Sequence, residues 1–369
     1  MTPARLALVA KPPCASFADI EPALRDVAGS LAAAIGPRAR AVLVAGSFGR
    51  GEGAFVATRG ERFVPHNDVD LVLVVDGGAK TVRRQVSELS HAASQRLGWE
   101  VEAWPVDAVD LVHPPRTLFW LDVALGGHRV AWGSTRGLHL DTMRASEVPM
   151  DEAGRLLANR ATGIAISRLK GVREDLDLAV RHAHKAVLAC GDAALLLAGR
   201  YRGRMLERSA VLDASVDVDG ELAARYAEAM RYRARPDLWR PPGEVTAWVE
   251  GAFQAVARWH LTLEARRRGT PREAVGYANF DEPLYSLSDA GRLSRVAHQL
   301  VWSTPFRRAP ASLHPRERVA RASVALAHGL HGLHEARARE AACLVLGVRP
   351  TSTDEEVHDA LVGLRSKGG

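Results

Sequence analysis

The sequence predicts a small α/β domain followed by a larger all-helical one. Three observations carry this. The chain has 369 residues, more than a single hydrophobic core usually organises. Short β-branched runs alternate with amphipathic segments over the first part of the chain. Beyond it, long periodic segments are broken only by polar or Pro-rich stretches. The domains are accordingly placed at 1–145 and 146–369, with a bundle over roughly 151–270 and further helices over 285–365.

The elements follow in order. Residues 18–36 carry Ile20, Leu24, Val27 and Leu31 on one helical face, and Gly36-Pro37 stops the helix. Ala41 to Ala45 is a short buried-strand run, ended by the turn formers Gly46, Ser47, Gly49 and Gly51. Val69 to Val75 is a second strand. Residues 81–97 form a helix with Val82, Val86, Leu89 and Ala93 inward. Residues 99–106 alternate as a third strand, which puts Glu100 and Glu102 on the same side. The run from Phe119 to Gly133 reads as a hairpin turning at Gly126-Gly127. Helical segments are expected at 151–171, 173–199, 204–213, 221–233, 242–268, 287–303 and 314–347. A last short helix starts at Ser352-Thr353, whose hydroxyls are N-cap candidates.

Composition narrows the class. Hydrophobic residues make up 47% and charged residues 25%, the balance of a folded chain. No apolar run approaches the ~18–20 residues of a membrane span, and the apolar stretch Leu6 to Ala10 is too short for a signal-peptide core. Cys14, Cys190 and Cys343 lie far apart with no CxxC. That excludes a disulfide scaffold and a cysteine-rich zinc site, and it fits a reducing cytoplasm. Net charge is +6, but residues 1–150 hold 16 basic and 16 acidic side chains. The surplus therefore belongs to the second half, where residues 251–350 carry 15 basic against 8 acidic. Of the 49 basic residues 44 are arginine. This fits GC-rich coding, and it also suits bidentate phosphate contacts.

One constellation carries chemistry. Gly46-Ser47 follows a strand where backbone N–H groups can hold phosphate oxygens. Asp68 and Asp70, one residue apart at a strand start, project to one face and repel each other unless cations hold them. A pair of Mg²⁺ ions would satisfy them. Arg50 can contact phosphate or pair with Glu52 or an acidic strand end. His66 and Asn67 read as loop packing or capping. His328, His331 and His334, spaced by three, drift around a helix and make no clean ligand face, and His182 and His184 point apart. Trp239, Trp248 and Trp259 read more readily as helical anchors than as a stacking surface.

The segments Gly46-Ser47-Phe48-Gly49-Arg50-Gly51-Glu52 and Asn67-Asp68-Val69-Asp70-Leu71-Val72-Leu73-Val74 resemble the DNA polymerase β-like nucleotidyltransferase superfamily. The run Val101 to Asp107 resembles its next catalytic strand, and the resemblance covers about residues 18–140. Arg181, Lys185, Gly191-Asp192-Ala193 and Tyr201 are similar to helical domains of aminoglycoside-type and toxin–antitoxin members. The resemblance implies a mixed-sheet nucleotidyltransferase domain in which Asp68 and Asp70 hold two Mg²⁺ ions, or Mn²⁺. Glu100 matches the position of the third metal ligand, with Glu102 on the same face as the other candidate catalytic carboxylate. Gly46, Ser47, Arg50 and Lys185 would contact the triphosphate of an NTP, ATP among them. The sequence departs from the pattern between Ser47 and Asp68, where twenty residues intervene and Gly53 to His66 reads as an extra loop.

The implied reaction transfers an NMP group to an acceptor hydroxyl or phosphate and releases pyrophosphate. A small-molecule acceptor is favoured. The alternatives are transfer to tRNA or protein, synthesis of a nucleotide second messenger, and a non-catalytic binding or antitoxin module. No membrane partner is expected.

Overall fold

The computed structural model describes residues 16–57, 63–215, 219–269, 315–329 and 335–367. The chain divides into two compact units. The first comprises Met1–Pro149, Gly199–Ala214 and Met230–Trp239; the second comprises Met150–Ala198, Ser215–Ala229 and Arg240–Gly369. The first unit thus takes in two segments that sequence texture assigns to the helical half.

The first unit is mixed α/β. Helix α1 spans Phe17–Ile35 and ends at Gly36, as its spacing predicts. Strand β1 (Ala39–Val44) leads into α2 (Gly46–Gly49), a single turn. Strands β2 (Phe55–Ala57) and β3 (Phe63–Pro65) pair with each other in antiparallel fashion. The stretch expected as an extra loop is therefore partly a small hairpin. Then come β4 (Val69–Val75), α3 (Ala79–Leu97) and β5 (Val101–Asp107). The main sheet has the order β5-β4-β1-β6, with β4 and β5 parallel and β1 antiparallel to β4 and β6.

The expected hairpin over 119–133 is corrected. Leu118–Gly126 is a helix, α4, and only Arg129–Gly133 is a strand, β6, which pairs with β1. Thr117 caps the helix, accepting from the Trp120 N–H, and Gly127 takes a positive φ of 97° at its end. The two glycines stop a helix and do not turn a hairpin.

Side-chain alternation divides the sheet. Val42, Val44, Val69, Leu71, Leu73, Val75, Val101 and Ala103 share one core with Ile20, Leu24, Val27 and Leu31 of α1 and Val82 and Val86 of α3. Asp70, Glu102 and Trp104 have the opposite parity and project to the other face. There Trp104 meets Phe119 of α4 edge-on, with centroids 5.2 Å apart.

The second unit is helical. It contains α5 (Asp151–Lys170), α6 (Leu176–Leu197), α9 (Val245–Arg268), α10 (Pro315–Gly329), α11 (Glu335–Leu346) and α12 (Asp354–Lys367). Helix α7 (Met205–Asp213) belongs to the first unit, and α8 (Gly220–Ala234) divides between the two. The segment read as 314–347 resolves into α10 and α11. The helix expected at 287–303, together with Cys14, His331 and His334, lies outside the described residues. Two polar pairs join helices in this unit: the Thr162 hydroxyl donates to Ser323 Oγ (2.9 Å), and Tyr226 donates to Asp192 (2.8 Å). His328 Nε2 and His260 Nδ1 share a hydrogen bond of 2.8 Å, and burial pushes His260 down to about 4. Among the described residues no helix is long and apolar enough to cross a membrane.

At Gly203 a late segment comes close to the backbone of the N-terminal part of the first unit. A Cβ built on it would lie 2.3 Å from the Leu125 carbonyl carbon and 2.5 Å from the Gly126 nitrogen. Both are backbone atoms, which yield little. Gly203→Ala is therefore expected to destabilise the chain by about 1–3 kcal/mol, read as a lower denaturation midpoint. An unchanged midpoint would contradict this packing.

Candidate metal and phosphate site

Topology gathers the site at one end of the sheet. Strands β4 and β5 run parallel, so both begin there. Strand β1 runs the other way and delivers Ala45 and Gly46 to the same end. The register pairs Val69 with Val101 and Asp70 with Glu102. Carboxylate oxygens of Asp68, Asp70 and Glu102 all lie within 4.8 Å of one another.

The third carboxylate of this group is Glu102. Glu100 lies outside that group: it precedes β5, is exposed, and contributes its backbone carbonyl to the Val69 N–H (3.0 Å). Alternation puts both glutamates on one face, so only the register separates them.

The α2 turn abuts the acids. The Ala45 N–H donates to the Asp70 carbonyl at 2.9 Å. Gly46 has φ +58°, and a Cβ there would lie 1.9 Å from Asp70 Oδ2. Glycine is required twice, by the left-handed backbone and by the carboxylate pressed against it. Ser47 is buried beside it, and its carbonyl accepts from the Glu52 N–H (2.8 Å).

The acids repel one another. Burial, then the charges of Asp68 and Glu102, push the Asp70 carboxyl up to about 7, against the pull of Arg233 and Arg50. Three hard oxygen donors so close suit Mg²⁺ or Mn²⁺ better than softer metals.

A second polar cluster lies under the turn. Arg50, whose side chain is 5% exposed, pairs with Glu52 (3.0 Å) and Asp122 (3.1 Å). The pairing with Glu52 is the one the sequence reading names, and Asp122 adds a partner on α4. Asp122 also pairs with Arg208 (2.5 Å) and accepts from the Tyr201 hydroxyl (2.7 Å). Burial disfavours the Asp122 carboxylate. Arg208, Arg50, the Tyr201 hydroxyl and Arg233 outweigh that and hold it below its ordinary value. Glu52 in turn accepts from the Met205 N–H (2.9 Å).

The structure thus brings together Gly46, Ser47, Asp68, Asp70 and Glu102, with Arg50 just beneath. Lys185 is half-buried on α6, which belongs to the second unit. Asp122, Arg208 and Arg233 escape the sequence reading, and Tyr201 enters it only through the resemblance of the helical half, without this partner. One signal was available, a lone carboxylate inside the apolar run Leu118 to Leu125. Comparison of the chain with protein-family models, curated proteins and solved structures returns no match.

Two outcomes follow from this geometry. Gly46→Ala should cost about 1–3 kcal/mol through strain and displace Asp70, measurable by chemical denaturation. Loss of less than half a kilocalorie would argue against the contact. The second concerns pH. The folded state keeps the Asp70 proton up to about 7, whereas the unfolded chain releases it near 3.8. Between these values the folded state binds more protons, so its stability falls as pH rises and then levels off. In divalent-free buffer Asp70→Asn should therefore gain in melting temperature over wild type between about pH 5 and about pH 8. The same difference at both pH values would refute it.

Proposed function

We propose that the chain is a divalent-metal-dependent nucleotidyltransferase that moves an NMP group from an NTP to an acceptor hydroxyl or phosphate on a small molecule. One observation carries the reading: the backbone of a glycine turn lies directly against a carboxylate of a three-acid cluster. A phosphate-binding turn and a cation-binding cluster then address the same substrate atoms.

Asp68, Asp70 and Glu102 would hold the metal, which when bound neutralises triphosphate charge and polarises the α-phosphoryl group. The remaining work falls to the chain. The Gly46-Ser47 turn offers its backbone to phosphate oxygens at close range. Asp68 and Asp70 fix the position of the α-phosphorus relative to that turn. Glu102 is the most exposed of the three acids and is suited to face the acceptor. There it orients the hydroxyl and takes its proton. The acceptor oxygen forms the new bond to the α-phosphorus, the bond to the β-phosphate oxygen breaks, and pyrophosphate leaves. Positioning and charge complementarity dominate such a reaction.

The test is pyrophosphate release from each of the four labelled NTPs in the presence of Mg²⁺ and cell extract, with the label traced to its acceptor. Asp68→Asn combined with Asp70→Asn should reduce release to that of an enzyme-free control while the circular dichroism spectrum stays native. Undiminished release by this variant would overturn the proposal.

A further inference from the structure

The segment Met230–Trp239 joins the first unit from well over a hundred residues downstream of the acids. It brings two kinds of side chain. Tyr232 sits edge-on to His66, with centroids 5.7 Å apart, and edge-on to Trp239 at 5.5 Å. His66 is two residues before Asp68, so this ladder starts beside the carboxylates and leads away from them. Arg233, adjacent to Tyr232, lies close enough to act on both Asp70 and Asp122.

The segment is built to hold its rings in place. Helix α8 ends at Ala234. Arg235 then grips Asp237 through two hydrogen bonds of 3.0 and 2.9 Å, and the Leu238 N–H donates to the Arg235 carbonyl (3.2 Å). This turn carries Trp239 back onto Tyr232. Both rings are only half-buried. Trp259, by contrast, is 5% exposed and donates its Nε1–H to Asp219 (2.9 Å), as a core anchor should. A half-exposed indole packed on Tyr232, in the same segment as an arginine that acts on the acid cluster, suits a ligand that is planar at one end and polyanionic at the other.

We infer that Met230–Trp239 is the recognition wall for the donor nucleotide, with Trp239 and Tyr232 receiving the nucleobase and Arg233 receiving a phosphate. This rests on the nucleotidyltransferase reading and deepens it. Stacking tolerates any base, since each has a π-face. The wall therefore selects nucleotides as a class.

Calorimetric titration of the full chain in Mg²⁺ with ATP, GTP, CTP, UTP and tripolyphosphate tests this, because tripolyphosphate has the charge without the base. Trp239→Ala should weaken NTP binding about tenfold and leave tripolyphosphate unchanged. Trp239→Phe, which keeps a ring, should restore most of the loss. Arg233→Gln should weaken both ligands. The inference fails if Trp239→Ala binds NTPs like wild type, or loses tripolyphosphate equally. It also fails alone if wild type binds tripolyphosphate as tightly as every NTP. Binding of neither by wild type would instead bring down the nucleotidyltransferase reading itself.

Discussion

Asp122 holds two arginines at once, and the position of the whole site depends on it. It lies on α4, between Leu121 and Val123 in the chain. Arg50 reaches it from the end of the glycine turn, and Arg208 and Tyr201 reach it from the later segment. Removing the carboxylate would leave two largely buried guanidinium groups short of a counter-charge, a defect that typically costs about 3–5 kcal/mol. The geometric effect matters more than the energy. Arg50 is the residue after α2, so anchoring it fixes where Gly46 and Ser47 lie. Glu52, two residues on, is anchored by Arg50 and the Met205 N–H. The turn is clamped from below, and the acids face it from β4 and β5.

The sheet separates stability from chemistry by parity. Along β4 the odd-numbered positions Val69, Leu71, Leu73 and Val75 feed the core under α1 and α3. The even-numbered face begins with Asp70 and becomes apolar only from Val72 onward. Strand starts are where a sheet can carry charge, because burial deepens toward the strand centre. The strained electrostatics of Asp70 are thereby confined to one end of one face.

The legible parts of the fold were those with local signals. Helices α1 and α3 and strands β1, β4 and β5 each combine a clear period with a nearby breaker, as at Gly36-Pro37. The stretch Leu118–Gly126 has no period, because it is apolar on every side except at Asp122. Its glycine pair suits a hairpin turn as well as a helix end. Asp68 and Asp70 were readable because they stand two residues apart at the start of one strand. The choice between Glu100 and Glu102 was not, since both share a face and only the pairing of Val69 with Val101 decides it. Tyr201 and Arg208, separated from Asp122 by 79 and 86 residues, carry no local mark of their role. The same holds for Tyr232, Arg233 and Trp239. Contacts between distant segments are set by tertiary packing, which periodicity does not encode.

The first unit is discontinuous. The chain leaves it after Pro149, returns at Gly199, leaves again after Ala214 and returns once more for Met230–Trp239. No single cut excises it. Residues 1–149 alone would contain every acid of the cluster, yet Asp122 would lack Tyr201 and Arg208, and Glu52 would lose the Met205 N–H. The first unit is thus no portable module that could be spliced onto another partner at one junction. Its segments alternate with those of the helical unit along one sequence, so a cut at any one boundary leaves part of it behind.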